Sequence, residues 1–115
     1  MLRMTVAALL MLLVEAPVNA AAASFDCRQA RTADEVAICD NRELNDLDVR
    51  MATLYEVTTG FVAMGQRSAM TDEQREWLAQ RHLCRADVRC LRRFYRQRIA
   101  ELESVVAEIN SHRPL

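Results

Sequence analysis

The four cysteines are the residues of this chain whose type and spacing are best suited to chemistry. They lie as Cys27-x11-Cys39 and Cys84-x5-Cys90, and four cysteines allow three disulfide pairings. We favour the two local bonds, Cys27–Cys39 and Cys84–Cys90. A zinc site, a redox-active pair or a haem attachment would each need a tighter motif such as C-x-x-C. The cysteines therefore predict two structural disulfides, with no metal and no cofactor.

The other side chains that could catalyse a reaction form no recognisable site. His82 and His112 are the only histidines. His112 lies in the predicted tail, and His82 follows Arg81 at a position that suits a surface residue. No serine lies in a G-x-S-x-G turn, and Glu73, Glu76 and Arg81 have the spacing of a solvated helix face. We therefore predict that the chain is not an enzyme, with activity on the cell wall as a weaker alternative.

The first 20 residues have the pattern of a secretory signal peptide. Arg3 precedes an apolar run over residues 4–14, and small residues follow around Ala20. The run is shorter than the roughly 20 residues that span a bilayer. We predict a signal peptide over 1–20, with alternative cleavage sites as late as residue 23. The helical domain would cover 21–110, a frayed tail 111–115, and the location would be periplasmic or secreted, where cysteines oxidise.

The net charge of −1 is close to balanced, and it stays the same when the predicted signal peptide is removed, because Arg3 and Glu15 cancel. It predicts neither a nucleic-acid partner nor a membrane-surface partner, and no stable membrane span would remain after signal cleavage. Glycine and proline occur only twice each, and the most frequent residues favour helices. The composition therefore indicates an all-helical domain.

Each predicted helix starts at a residue of a type that favours the N-cap position. In three cases Glu or Gln follows three positions later. They are Thr32 with Glu35, Asp40 with Glu43, Thr71 with Gln74, and Asp87. The first helix would end at Cys39, and the segment from Gly60 to Met70 would be the end of the second helix plus a mobile connection. We predict one short and three longer helices in an antiparallel bundle stapled by disulfides.

Apolar residues recur at helical spacing in two of these segments. They are Leu44, Leu47, Met51, Leu54, Tyr55 and Thr58 in the second helix, and Val88, Leu91, Tyr95, Ile99, Leu102, Val105 and Ile109 in the fourth. Both stripes should face the core of the bundle.

One longer pattern combines several of these features. It reads Gln74-Arg75-x-Trp77-Leu78-x-x-Arg81-x-x-Cys84. Together with the cysteine pairs, the pattern resembles the LprI-type lysozyme inhibitor domain, an exported bacterial family, from Phe25 to about Leu102. The resemblance implies an all-helical, disulfide-stapled envelope protein that blocks lysozymes. The family usually has Asp at the position of His82, so any contact made by that Asp would differ here.

Gln74, Trp77 and Arg81 are spaced by three and four residues and share one helix face. This family-motif face has two interpretations. It is a surface that binds the partner, or it is a core face in which Gln74 and Arg81 bond to neighbouring backbone or to a carboxylate such as Asp48.

The predicted partner is a lysozyme or another envelope protein. Lysozymes of the common type are strongly basic, so an inhibitor would present acidic groups. The acidic residues that could do so in the second predicted helix are Asp40, Glu43, Asp46 and Asp48. The alternative function is a non-inhibitory interaction or structural module of the envelope.

Overall fold

The computed structural model of the chain describes residues 23–112, which form helices and turns only. The predicted signal peptide and the last three residues of the predicted tail lie outside the described residues. The elements are a 3-10 turn at Cys27–Gln29, α1 at Ala33–Asp40, α2 at Arg42–Phe61, α3 at Met64–Arg81, a 3-10 turn at His82–Cys84, and α4 at Val88–Ser111. The predicted class is confirmed, since one short and three longer helices make an all-α, disulfide-stapled domain.

Consecutive long helices run antiparallel, so α2 and α4 run parallel to each other. Ion pairs join Glu43 near the start of α2 to Arg92 in α4, and Arg50 further along α2 to Glu103. The opposite order holds for α3, because Gln74 lies beside Met51 while Arg67, earlier in the chain, reaches the carbonyl of Thr59 later in α2. These contacts place α3 along the side of the α2–α4 pair.

The predicted connection over Gly60 to Met70 is wrong. Helix α2 ends at Phe61, and α3 begins at Met64, so only two residues separate them. Neither glycine has a positive φ, and the helix continues through Gly65. Thr71 begins no helix, because it lies inside α3. Its hydroxyl donates to the carbonyl of Arg67 one turn earlier, as hydroxyl side chains do within helices.

N-cap side chains explain where α2 and α4 begin, whereas the residue before α1 makes no such capping bond. Asp87 accepts from the backbone N–H of Cys90, as predicted for α4. The cap of α2 is Asn41 rather than Asp40, since the Asn41 side chain accepts from the N–H of Leu44. Asp40 instead closes α1 as its last residue.

Buried apolar side chains from α1, α2, α3 and α4 meet in one core. Its members are Ile38, Leu44, Met51, Met70, Cys84, Leu91, Tyr95, Ile99 and Leu102. The predicted stripes of the second and fourth helices supply most of them, and a fully buried Leu or Ile contributes about 1.5–3 kcal/mol.

Both disulfides join cysteines that are close in sequence, as favoured from the spacing. Cys27–Cys39 ties the first 3-10 turn to α1, and Cys84–Cys90 ties the second 3-10 turn to the start of α4. Arg85 between them adopts a left-handed φ of 51°. The corner between α3 and α4 is therefore held covalently.

Candidate functional site

Arg81, at the end of α3, is buried although the sequence suggested a solvated charge. Only 4% of its surface is exposed. Its Nε donates to Oδ2 of Asp34 in α1 at 2.9 Å, and its Nη1 lies 3.9 Å from Oδ1 of Asp48 in α2. The same Nη1 donates to the hydroxyl of Tyr95 in α4 at 3.4 Å. One guanidinium thus joins α3 to all three other helices.

Asp48 is the second carboxylate of this network, and it is fully buried. The Tyr95 hydroxyl donates to its Oδ1 at 2.8 Å, and the backbone N–H of Ser24 donates to its Oδ2 at 2.6 Å. The ring of Phe25 lies 5.8 Å from the Arg81 guanidinium carbon, within cation–π distance. The network therefore also anchors the segment that precedes the first 3-10 turn.

The surroundings of Asp34 and Arg81 keep both side chains ionised. Burial works against the charged form of Asp34, but hydrogen bonds from neighbouring side chains, including His82 and Arg81, lower its pKa to about 2. Burial likewise opposes the charge on Arg81, and its interactions with Tyr95 and Asp34 raise its pKa. Burial and the charge of Asp48 together raise the pKa of Tyr95. Tyr95 thus remains a neutral hydrogen-bond donor.

His82 is the position at which the sequence departs from the family pattern that it resembles, where Asp is usual. Its side chain is 44% exposed, and its Nδ1 lies 2.8 Å from Oδ1 of Asp34. Because Asp34 is itself a buried carboxylate, an Asp at position 82 would face a like charge in this arrangement. The imidazole instead supplies a partner for the second oxygen of Asp34.

Gln74 belongs to a second buried network about two turns earlier in α3. Its amide nitrogen donates to the sulfur of Met51, and its amide oxygen accepts from Nε of Arg98 in α4 at 2.9 Å. Arg98 also contacts two acids, with its Nη1 3.1 Å from Glu101 and 3.8 Å from Glu73. Its buried Nη2 has no hydrogen-bond partner.

Trp77 stands between these two networks. Its ring meets Tyr95 edge to face at 5.2 Å between centroids, and Phe94 lies 6.4 Å away at a tilt. Gln74 and Arg81 are buried and Trp77 is half-buried. The family-motif face is therefore mainly a core face, and Gln74 and Arg81 bond between helices rather than to a partner.

Trp77 also lines an open groove between α3 and α4 with a volume of about 450 Å³. We call it the α3–α4 groove. Its lining residues are Met70, Glu73, Glu76, Trp77, Gln80, Phe94, Gln97, Arg98, Glu101, Leu102 and Val105. The groove combines apolar and aromatic surface with three exposed carboxylates, which suits it to bind a positively charged or amphipathic group.

The acidic surface expected on the second helix is not formed as predicted. Asp48 is buried in the Arg81 network. Glu43 pairs with Arg92 at 2.9 Å and with Arg96 at 3.3 Å. These contacts remove two of the four predicted acids from the available negative surface, and the α3–α4 groove provides acidic groups elsewhere.

Among residues 23–112, no group of three or more His, Cys, Asp or Glu side chains is arranged to hold a metal ion. No helix in that range is both long and apolar enough to cross a membrane. Comparisons of the chain with protein-family models, with curated proteins and with solved structures found no match.

The sequence reasoning missed Asp34 and Arg98 as members of the buried networks. The sequence contains a signal for both residues, because each is a charged residue at a core position of its helix. Asp34 is one turn before buried Ile38, and Arg98 lies between Tyr95 and Leu102 on the apolar stripe of α4. A charged residue on a core stripe requires a buried partner, so both positions could have been identified as ion-pair candidates.

Proposed function

We propose that this chain is an exported binding protein that inhibits a lysozyme by occupying part of its surface. The proposal combines the resemblance of the Gln74–Cys84 pattern to lysozyme inhibitor domains with the shape of the molecule. The disulfides and buried ion pairs hold the helices in one arrangement, and a rigid surface loses less conformational entropy on binding. Its location would be the periplasm or the exterior of the cell.

The observation that carries the proposal is the acidic rim of the α3–α4 groove. Glu73, Glu76 and Glu101 are exposed around aromatic surface. The common lysozymes are strongly basic, so the charge of this acidic rim is complementary to theirs. Complementary charge accelerates association and orients the partners.

A muramidase assay tests the proposal. Purified mature protein with intact disulfides is added to lysozymes of several types, from strongly basic to acidic, and the rate of cell-wall lysis is recorded. We expect inhibition at near-stoichiometric ratios, strongest for the basic enzymes. Absence of inhibition and of complex formation with every lysozyme would refute the proposal.

The role of the disulfides is tested without exposing the lysozyme to a reductant, because lysozymes themselves contain disulfides. The inhibitor is reduced, alkylated and desalted before mixing, and an oxidised sample treated with the alkylating agent alone is the control. We expect the alkylated, reduced protein to lose inhibition because the α3–α4 corner is no longer held.

The second candidate is an interaction or structural module of the envelope that does not inhibit lysozyme. The observation favouring it is the burial of Gln74 and Arg81, because a motif that forms the core can persist in domains with different partners. This candidate predicts that the oxidised protein binds an endogenous envelope protein and leaves lysozyme activity unchanged. Both candidates are binding functions, and both predict that isolated peptidoglycan stays intact during prolonged incubation.

A further inference from the structure

The α3–α4 groove is lined by apolar and aromatic side chains as well as by charged ones. Its inner surface includes buried Met70 and Leu102 with half-buried Trp77 and Phe94. Its volume of about 450 Å³ is enough for one or two long side chains but small for a folded element. The groove is therefore the size of an anchor site for part of a larger partner.

The charged residues of the groove leave an excess of negative charge. The lining contains three glutamates and one arginine. Arg98 lies 3.1 Å from Glu101 and 3.8 Å from Glu73, whereas the Glu76 carboxylate accepts only a neutral hydrogen bond, from Gln80 at 3.2 Å. The lining residues therefore have a net charge of −2, from three glutamates and one arginine, and Glu76 is the carboxylate that Arg98 does not approach.

Arg98 is the one basic residue among those that line the groove, and its guanidinium is buried. Its side chain is 5% exposed, and it lines the groove. Nε and Nη1 are bonded, but the buried Nη2 has no partner. Because Nη2 is enclosed, the guanidinium offers no free donor to the groove, and a ligand there meets mainly the carboxylates and the aromatic rings.

We infer that the α3–α4 groove is a binding site for a lysine or arginine side chain presented on an exposed loop of a partner protein. The cation lies against the Trp77 ring and between the rim carboxylates. Cation–π contact and paired carboxylates are the two environments that favour such a group. The inference rests on the proposed function in one respect, that the loop belongs to a lysozyme.

The chemistry distinguishes this ligand from a glycan. A sugar would also stack on Trp77, but a neutral sugar gains little from the net negative charge of the rim. The preference for a cation is therefore set by Glu76 together with Glu73 and Glu101, and it predicts a strong dependence on ionic strength.

Trp77 is the only tryptophan in the chain, so its fluorescence reports on the groove directly. The probe is a tryptophan-free peptide containing three arginines, and the control is the same peptide with citrulline in place of arginine. We expect the arginine peptide to change the fluorescence saturably, with an effect that weakens as salt is added. An equal response to the citrulline peptide, or a saturable response to an N-acetylglucosamine trimer alone, would overturn the inference.

The rim is tested with the triple variant Glu73→Gln, Glu76→Gln and Glu101→Gln. An exposed ion pair changes affinity by about two- to five-fold, so we expect the three changes together to weaken binding by about ten- to one-hundred-fold. The single variant Glu76→Gln leaves both bonds of Arg98 to acids in place, and it should weaken binding by about two- to five-fold without loss of helix content. It keeps the test valid if the triple variant does not fold.

A matched control removes the same charge elsewhere. The triple variant Asp46→Asn, Glu56→Gln and Glu108→Gln changes three exposed carboxylates outside the groove lining. We expect it to bind the arginine peptide like the unmodified protein. If both triple variants weaken binding equally, the effect is one of net charge, and the groove is not the site.

The inference and the proposed function fail separately. If the unmodified protein inhibits no lysozyme but the arginine peptide binds and responds to the rim variants, the lysozyme proposal is refuted and the cation site stands. If the protein inhibits lysozyme equally well with and without the rim carboxylates, the inhibitory function stands and the groove assignment is refuted.

Discussion

Replacing Asp34 by Asn tests whether the buried ion pair with Arg81 holds the helices together. The substitution keeps the shape of the side chain and removes its charge. Arg81 is 4% exposed, so it would remain a buried cation whose nearest remaining carboxylate is that of Asp48 at 3.9 Å. We expect the Asp34→Asn variant to fold less stably at pH 7.

The size of the effect follows from two observations. The pKa of Asp34 is lowered from 3.8 to about 2, which corresponds to about 2 kcal/mol in favour of the charged form in the folded state. Removing one partner of a buried pair costs about 3–5 kcal/mol. Because the amide can still accept a bond from Nε and Asp48 stays nearby, we expect about 2–3 kcal/mol.

The assay is urea unfolding followed by circular dichroism, with the disulfides intact. At pH 7 the variant should have a lower midpoint and an unchanged slope with denaturant. The stability from Asp34 is present above its ordinary pKa and is lost as the pH falls toward about 2. The gap between the variant and the unmodified protein should therefore narrow by about 2 kcal/mol between pH 5 and pH 2.

The control is Asp72→Asn, which removes the acid of an exposed pair with Arg75 and should change stability by about 0.5 kcal/mol at most. An Asp34→Asn variant as stable as this control would refute the reasoning. A difference in the free energy of unfolding between Asp34→Asn and the unmodified protein that does not change with pH would also refute the reasoning. In a double-mutant cycle with Arg81→Met, the two changes should be coupled by about 1 kcal/mol or more.

Three further predictions concern the covalent and local supports of the same scaffold. Replacing Cys27 and Cys39 by Ser opens a loop with a sequence separation of 12 and should cost about 3 kcal/mol in the chain-entropy model, measured by urea unfolding. His82→Asp should destabilise the protein by about 1 kcal/mol and raise the pKa of Asp34, because the new carboxylate would face a buried one. The comparison is His82→Asn, which removes the imidazole without adding a charge and should raise that pKa less than His82→Asp does, as measured by NMR titration. Gly65→Ala should raise the stability by about 0.5 kcal/mol, because the added methyl group meets no atom within 4 Å and alanine favours the helix. A thermal melt checks this, and destabilisation would contradict the helical assignment of residues 64–70.

The apolar stripes made the main elements predictable. In α4 the spacing of Leu91, Tyr95 and Leu102 identified the buried face, and Asp87 identified the first turn. The segment from Gly60 to Met70 was not predictable in the same way, because its two glycines are typical of a turn or loop. Its helix is supported by contacts with α2, such as that of Arg67 with the carbonyl of Thr59, which no local pattern encodes.

The candidate site divides along the same line. The spacing of Gln74, Trp77 and Arg81 placed them on one face, and one of the two interpretations of that face was a core face in which Arg81 bonds to a carboxylate such as Asp48. The nearer carboxylate proved to be Asp34 rather than Asp48, because α1 folds back across the end of α3. Sequence spacing reports which residues share a helix face, but it does not report which other helix that face meets.

By itself the sequence determined the all-helical class and the apolar stripes of α2 and α4 that turn inward, and it favoured the local cysteine pairs without deciding among the three possible pairings. These properties depend on residue type and on spacing within a few turns. Only the tertiary structure decided that the inward face carries two buried ion-pair networks, and that the acids exposed to a partner surround a groove between α3 and α4. The reason is physical, because Asp34 and Arg81 lie 47 residues apart, and only the packing of helices brings such charges within bonding distance or leaves others without a partner.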